Sequence, residues 1–291
     1  LTPGTLVEDN GLSAKTHNYL AALVFDPARG EGGLAWIDVS TGEWTGLEGK
    51  SEPGLWQWLV KIDPREILLP AGIKAPRQYA ELQARVTQVP DLFFDARAAR
   101  DRVCKAQGVA DLKILDLADK HELTRACGAL LCYLAQTQRQ EMGHLGQFQP
   151  LDLGRHLILD EITERNLEIF RTLDGRTGRG TLRAVLDRTM TPMGGRLLEQ
   201  RLRHPWREAL PIERSLDAVD FLVGGQELRE AVRAQLKQVY DIERLSTRIF
   251  LGRASPRDFA ALRGSLAVLP TLRDCLRTAG EAAGGLPEAV G

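Results

Sequence analysis

The sequence predicts an α/β domain with a mixed sheet followed by an all-α domain, and three observations support this fold class. The chain has 291 residues, enough for about two domains at roughly 150 residues each. In the first half, short apolar runs alternate with amphipathic stretches, as strands interleaved with helices do. After Leu151 the apolar residues recur almost entirely at helical spacing. We therefore expect an α/β domain at residues 1–150 and a helical domain at residues 151–291.

Strands are predicted at the start of the first domain. Compact apolar runs occur at Leu20–Phe25, Leu34–Val39 and Trp44–Leu47. Their connections are short and rich in turn-forming residues, which favours an antiparallel meander.

Helices and further strands follow the meander. Leu55–Ile62 is predicted to be a helix, Glu66–Leu69 a buried strand, and Val86–Phe94 is predicted to contain another short strand. Between Leu123 and Leu134 the apolar residues form one stripe at helical spacing, which predicts a helix of about five turns. The polar stretch Gln136–Gln149 contains two glycines and is predicted to link the two domains.

The second domain is predicted to be a succession of helices. A short helix is expected at Thr181–Arg188, with Leu182, Val185 and Leu186 pointing inward. Pro270 should kink or interrupt the last helix of the domain. The other predicted helices are Thr191–Arg203, Pro211–Leu222, Glu227–Val239, one marked by Ile242, Leu245 and Ile249, and one that opens at Ser255.

Composition and charge exclude several classes of protein. Hydrophobic residues make up 43% and charged residues 26%, close to the average of globular proteins and unlike disordered chains. No apolar stretch approaches the roughly 20 residues that cross a bilayer, and four cysteines without CxxC pairing indicate free thiols in a cytoplasmic protein. Because the chain begins at Leu1 and not at Met, we expect it to be part of a longer protein.

The near-neutral net charge of −1 argues against a strongly basic nucleic-acid binder. It conceals a difference between the halves. Residues 1–150 carry 16 basic and 19 acidic side chains, whereas residues 151–270 carry 20 basic side chains, 19 of them arginine, and 17 acidic ones. This difference suggests separate surfaces in the two domains.

A search for catalytic motifs gives one Gly-rich candidate, which lacks the chemistry of a phosphate loop. Gly175–Thr181 has glycines five residues apart, but the lysine that would neutralise β- and γ-phosphates is missing. The favoured interpretation is a loop between helices with two exposed arginines, Arg176 and Arg179. The five histidines show no spacing of metal ligands, so neither a nucleotide site nor a metal site is expected.

Three carboxylates could form a site for divalent metals. Asp38 lies near the end of a predicted strand, Glu43 follows directly, and Asp95 is placed at the end of a later strand. In an RNase H-like sheet, carboxylates at strand ends can hold two Mg²⁺ ions for phosphodiester hydrolysis. The favoured interpretation is that Asp38 and Asp95 end strands and cap turns. Tryptophans at positions 36, 44, 56 and 58 could stack on bases, but a role in the core is favoured.

Several motifs in one order resemble the bacterial MutS family. Leu1–Thr5 is similar to the Thr-Pro-Gly-Thr segment that ends the family's mismatch-reading domain, and Leu34–Glu43 is similar to a strand hairpin of its connector domain. The more specific matches lie later and are similar to the opening helices of the family's core domain. They are Arg165–Ile169, Leu182–Asp187, Thr191–Leu198, Asp241–Leu245 and Arg253–Asp258.

The resemblance implies a connector domain of RNase H-like fold at residues 1–150 and the first part of the helical core, or lever, domain at residues 151–291. The family binds mismatched DNA as a homodimer and hydrolyses ATP to signal through MutL. The mismatch reader, the clamp and the ATPase with its ATP and Mg²⁺ would lie outside this chain, which would transmit conformational change without catalysis. At most weak, non-specific DNA binding is expected of it.

The resemblance also implies a docking surface for MutL on the connector. The helix from about Ala96 to Gln107 corresponds to that surface, and Asp101 and Arg102 lie in the relevant stretch. Two alternatives remain open: an RNase H-like nuclease that uses the three carboxylates, and a free-standing duplex-DNA binder that uses the arginines of residues 151–270.

Overall fold

A computed structural model describes residues 2–6, 12–138, 143–283 and 285–287 of the chain. The chain divides into two compact units. Unit 1 comprises residues 1–13 and 17–152, and unit 2 comprises residues 14–16 and 153–291. Unit 1 is a mixed sheet with helices and unit 2 is helical, which confirms the predicted fold class. Within the described ranges, no helix is both long and apolar enough to cross a membrane.

The described residues of unit 1 form a six-stranded sheet in the order β5-β4-β1-β2-β3-β6. The first three strands form the predicted antiparallel meander, and β4, β5 and β6 add parallel pairings. The strands are β1 (Tyr19–Asp26), β2 (Glu31–Asp38), β3 (Glu43–Gly49), β4 (Glu66–Pro70), β5 (Val86–Val89) and β6 (Gln149–Pro150). Because β1 and β2 lie at the centre of the sheet, their side chains are almost all buried.

In the described part of unit 1, three α-helices accompany the sheet: α1 (Glu52–Ile62), α2 (Ala96–Gln107) and α3 (His121–Gln138). The apolar stripe predicted for α3 is buried. At Gly33 of β2 a Cβ atom would lie 2.2 Å from the backbone carbonyl of Glu122 at the start of α3. The missing side chain of Gly33 therefore allows α3 to pack directly on the sheet.

The interpretation of Gln136–Gln149 as a linker is wrong for its described residues. Helix α3 continues to Gln138. Beyond the undescribed residues 139–142, the chain packs on the sheet, where Phe148 is buried and contacts Trp44 edge to face at 4.9 Å. Backbone hydrogen bonds then extend the sheet, because Leu151 N donates to Gly46 O at 2.7 Å. Polar composition concealed this short strand.

Unit 2 contains the predicted succession of helices. Thr191 accepts a hydrogen bond from Gly194 N and caps α6, where Pro192 occupies the first turn, as predicted. The helices are α4 (Glu161–Asn166), α5 (Leu182–Leu186), α6 (Pro192–Arg203), α7 (Ala209–Gly224), α8 (Gln226–Leu236), α9 (Ile242–Phe250) and α10 (Pro256–Ala283).

One expectation about unit 2 is wrong, and another is wrong in part. The side chains of Leu182, Val185 and Leu186 on α5 are exposed, because polar contacts and not leucine burial orient this helix: Thr181 is buried at its cap and Arg183 pairs with Glu199. Helix α10 continues through Pro270, so the proline does not interrupt the helix, and the expected kink stays a prediction. A proline in a helix interior removes one backbone hydrogen bond, and the remaining turns of α10 tolerate this loss.

Candidate functional site

Asp38 is the most buried carboxylate of the predicted set, with 0% of its surface exposed. Its Oδ1 accepts hydrogen bonds from Ser40 N at 2.9 Å and Ser40 Oγ at 2.6 Å. Its Oδ2 accepts from Asn18 N at 3.0 Å and lies 3.2 Å from His17 Nδ1. Both carboxylate oxygens are therefore occupied by groups of unit 1, and Asp38 fixes the path of the chain into β1 and out of β2.

His17 joins Asp38 to Glu43. Its Nδ1 lies 3.2 Å from Glu43 Oε2 as well as from Asp38 Oδ2. Two carboxylate oxygens at one ring nitrogen require that this nitrogen carries its proton. Burial alone would raise the pKa of Asp38, but hydrogen bonds from His17 and Ser40 outweigh it, and the pKa lies well below its usual value.

Asp95 does not join this cluster. The predicted strand ends at Val89, and Asp95 is instead the cap of α2, where its side chain accepts from Ala98 N at 2.8 Å. Among the residues that the structure describes, no group of three His, Cys, Asp or Glu side chains could hold a metal ion. The structure thus unites Asp38 and Glu43 but not Asp95, and it does not support the nuclease alternative.

The tryptophans at positions 36, 44 and 56 are buried in unit 1, which agrees with a core role. Trp58 is half-buried, with Lys61 Nζ 5.1 Å from its ring centroid. Three of these four rings are therefore not available to stack on bases.

Asp101 and Arg102 of helix α2 differ in their exposure to solvent. Asp101 is exposed, whereas Arg102 is half-buried and its Nη1 donates to Phe93 O at 3.0 Å. Ala99 and Val103 bury the opposite side of the helix. The exposed side therefore presents Asp101, and Arg102 is partly committed to holding α2 against the preceding segment.

The exposed side of α2 is predominantly cationic. Arg97, Arg100 and Lys105 are exposed beside Asp101, at the three- and four-residue spacings that bring helix side chains together. In the same region Leu92 is 71% exposed. The exposed side of α2 therefore carries mainly charged side chains, with one exposed apolar side chain in the same region.

In the Gly-rich segment Gly175–Thr181, residues 175–180 form an exposed loop, as predicted, and Thr181 is buried. Arg171 and Thr177 form an isolated antiparallel bridge, and Thr172 N donates to Arg176 O at 2.9 Å. Arg176 is 79% exposed and pairs with Asp174, and Thr181 then caps α5.

Sequence reasoning missed that several arginines of unit 2 are buried. Arg196 is 1% exposed, and its two terminal nitrogens bind the Asp241 carboxylate at 2.7 Å each. Arg244 is 2% exposed. The excess of arginine over lysine was an available signal, because guanidinium groups form such bidentate pairs better than ammonium groups do.

Comparisons with known proteins agree with this two-part architecture. A family model described as MutS domain II matches residues 18–146, and one described as MutS domain III matches residues 162–288. The chain is 54% identical over 288 residues to the DNA mismatch repair protein MutS of Nitratidesulfovibrio vulgaris, covering 99% of this chain and 32% of the relative.

Two further relatives of the same name show similar coverage. The protein of Oleidesulfovibrio alaskensis is 54% identical over 277 residues, 95% of this chain and 31% of the relative. The protein of Lawsonia intracellularis is 46% identical over 276 residues, 94% of this chain and 31% of the relative. The chain thus spans about a third of the length of the curated relatives it matches.

Proposed function

This chain belongs to the MutS family, and from that membership we propose that it is the connector and lever portion of a protein that recognises mismatched DNA. The observation that carries the proposal is the matching of MutS domains II and III in consecutive order, over residues 18–146 and 162–288. In this proposal unit 1 is the connector and unit 2 is the first part of the lever.

The chain itself is proposed to be non-catalytic. The buried Asp38 is occupied by hydrogen bonds within unit 1, and Asp95 is a helix cap. ATP with Mg²⁺, the mismatched duplex and the contacts of a homodimer are assigned to the other two thirds of the relatives' length. The cytoplasm is the proposed location.

Helix α10 supports a role in transmitting conformational change. Its 28 residues correspond to a rod of about 42 Å. Ser255 and Asp258 form reciprocal hydrogen bonds at its start, and Asp258 also pairs with Arg248 of α9 at 2.7 Å. A long helix fixed at its first turn moves as a rigid body, which suits a lever.

The exposed side of α2 is the proposed docking surface for MutL, with Asp101 and Arg102 as its contact residues. Its support is the exposed, charged side chain of Asp101 and the neighbouring exposed Leu92. Charge arrangement at such a surface gives specificity and raises the association rate.

The test is calorimetric binding of this chain to the ATPase half of MutL near physiological salt. Reversing the charge with Asp101→Arg should weaken binding about tenfold. Arg102→Glu is a less specific variant, because it would also break the contact with Phe93 O. Asp119→Arg is the matched control, since Asp119 is exposed before α3 and outside α2.

Equal weakening by Asp101→Arg and Asp119→Arg would remove α2 from the proposal and indicate a general charge effect. Absence of binding by the unmodified chain would contradict a docking surface that functions without the remaining domains.

Contact with DNA is proposed to be weak and without preference for a mismatch. Duplexes with and without a mismatch should bind equally, with affinity that falls as salt rises. The double variant Arg176→Ala, Arg179→Ala should reduce this binding, because both arginines are exposed on one loop. A preference for the mismatched duplex would refute this part of the proposal.

A further inference from the structure

Residues 14–16 form a turn that belongs to unit 2, although the residues on either side belong to unit 1. We call it the 14–16 turn. Its three consecutive carbonyl oxygens each accept a hydrogen bond from a different arginine of unit 2. The donor–acceptor distances are 2.9 Å for Arg196 Nη1 to Ala14 O, 2.8 Å for Arg183 Nη2 to Lys15 O, and 2.9 Å for Arg244 Nη2 to Thr16 O.

The arginines are held in place by carboxylates of unit 2. Arg196 forms its bidentate pair with Asp241 and a second pair with Glu243 at 2.6 Å. Arg183 pairs with Glu199 at 3.2 Å. Because these ion pairs fix the guanidinium groups, the N–H donors that reach the turn are positioned by α5, α6 and α9.

The site also accommodates the side chain of Lys15. Its Nζ lies 2.9 and 3.2 Å from the two carboxylate oxygens of Asp187 and 3.2 Å from Thr189 O, which uses all three of its N–H donors. At Gly195 a Cβ atom would lie 2.7 Å from Lys15 Cγ. Because Gly195 has no side chain, there is room for the aliphatic part of Lys15. The ammonium group of Lys15 pairs with the carboxylate of Asp187.

We propose that unit 2 contains a recognition site for a lysine-bearing peptide turn, filled by residues 14–16 of its own chain, and that the turn docks and undocks as one piece. The contacts named above are hydrogen bonds and ion pairs, and Ala14 is exposed while Lys15 and Thr16 are half-buried. The turn itself therefore buries little apolar surface, and segments with few buried apolar contacts open locally more readily than the core does. The proposal rests on contacts of unit 2 alone and does not depend on MutL binding.

The first test is the rate at which an N-hydroxysuccinimide ester acetylates Lys15 in the full chain, read by mass spectrometry. Lys74 and Lys105 are exposed and serve as internal references. Lys15 is 39% exposed, so burial alone would slow it only modestly, whereas engagement of all three donors should slow it about tenfold. Gly195→Ala should raise its rate towards that of the references.

Gly264→Ala is the matched control, because a Cβ atom there meets nothing within 4 Å. It should leave acetylation of Lys15 unchanged. Circular dichroism establishes that each variant is folded. If Gly195→Ala does not fold, Asp187→Asn replaces it and is judged by the same criterion.

The second test asks whether the site binds a separate peptide. Lys15→Glu places a carboxylate against Asp187 and should empty the site. A synthetic peptide of residues 12–18 should then bind this variant at least tenfold more tightly than it binds the unmodified chain, whose site is filled. The same peptide carrying glutamate in place of lysine should not bind.

Acetylation of Lys15 at the rate of the references in the unmodified chain would overturn the proposal. An unchanged rate of Lys15 acetylation in the folded Gly195→Ala variant, or in Asp187→Asn where that replaces it, would also overturn the proposal. Equal binding of the peptide to the unmodified chain and to Lys15→Glu would show that residues 14–16 merely connect β1 to what precedes it.

Discussion

Replacing Asp38 by asparagine should destabilise unit 1 strongly, although the substitution keeps the size of the side chain. Asp38 accepts hydrogen bonds through both oxygens, from Ser40 on one side and from Asn18 N on the other. Asparagine has one acceptor oxygen, so its amide group must face one of these N–H donors.

The magnitude follows from the groups left without an acceptor. One buried backbone N–H that loses its partner costs about 1–3 kcal/mol. The remaining bonds also lose the strengthening that a charged acceptor gives. Together these losses predict a decrease of about 2–4 kcal/mol in the free energy of unfolding of unit 1.

Urea unfolding followed by tryptophan fluorescence measures this loss, because four of the five tryptophans lie in unit 1. With a urea dependence of about 2 kcal/mol/M, the midpoint should fall by about 1–2 M. Asp95→Asn is the matched control. Asp95 is an exposed helix cap, and asparagine caps helices about as well as aspartate does, so its midpoint should hardly move.

The loss should also depend on pH with a defined sign. The folded pKa of Asp38 is below its usual value of 3.8. Its contribution to stability is therefore complete above that value and is lost as the pH falls below it towards the folded pKa. The difference between the unmodified chain and Asp38→Asn should persist from pH 7 to about 4 and shrink below. A midpoint shift under about 0.2 M, which corresponds to about 0.4 kcal/mol at that urea dependence, would refute the reasoning. So would a difference that does not change down to pH 3.

Three further predictions concern buried contacts. Arg196→Met should lower the free energy of unfolding of unit 2 by about 3–5 kcal/mol, because it removes the bidentate partner of the Asp241 carboxylate and leaves it the longer contact with Arg244 Nε at 3.8 Å. A thermal melt of this variant, followed by circular dichroism, that coincides with the melt of the unmodified chain would contradict this. Gly33→Ala should lower the free energy of unfolding of unit 1, measured with urea, by about 1–3 kcal/mol or more, because its Cβ would lie 2.2 Å from the Glu122 carbonyl. An unchanged urea midpoint would mean that α3 can move away from β2. Burial and a neighbouring carboxylate raise the pKa of Tyr133 to about 12, so stability should fall as pH rises from 10 to 12, and an ultraviolet titration should show one late-titrating tyrosine that Tyr133→Phe removes.

Much of the local structure could be predicted from the sequence because it depends on nearest neighbours and on periodicity. Alternating apolar runs indicated the meander of β1, β2 and β3, and the stripe from Leu123 to Leu134 indicated α3. Thr191 and Pro192 indicated the start of α6, since a cap and a first-turn proline act within four residues of chain.

The candidate site was less predictable, because residues distant in sequence decide its chemistry. The sequence identified Asp38 and Glu43 but not His17, which joins them. His17 lies beside them because the strand register places the start of β1 next to the end of β2. Asp95 was placed at a strand end, whereas the chain turned and used it to cap α2. Asp95 is followed neither by a first-turn proline nor by a glutamate at position 98, so the local signals that mark a helix start were missing there.

The sequence by itself determined the two-part architecture, the order of its elements and the family to which the chain belongs. The tertiary structure alone decided which charges are buried and what they hold. The buried Arg196 binds Asp241 across 45 residues, and the buried Arg244 reaches Thr16 across 228. The physical reason is that apolar periodicity repeats along the chain and can be read from it. A buried ion pair has no period, and it forms wherever the fold brings two opposite charges together away from water.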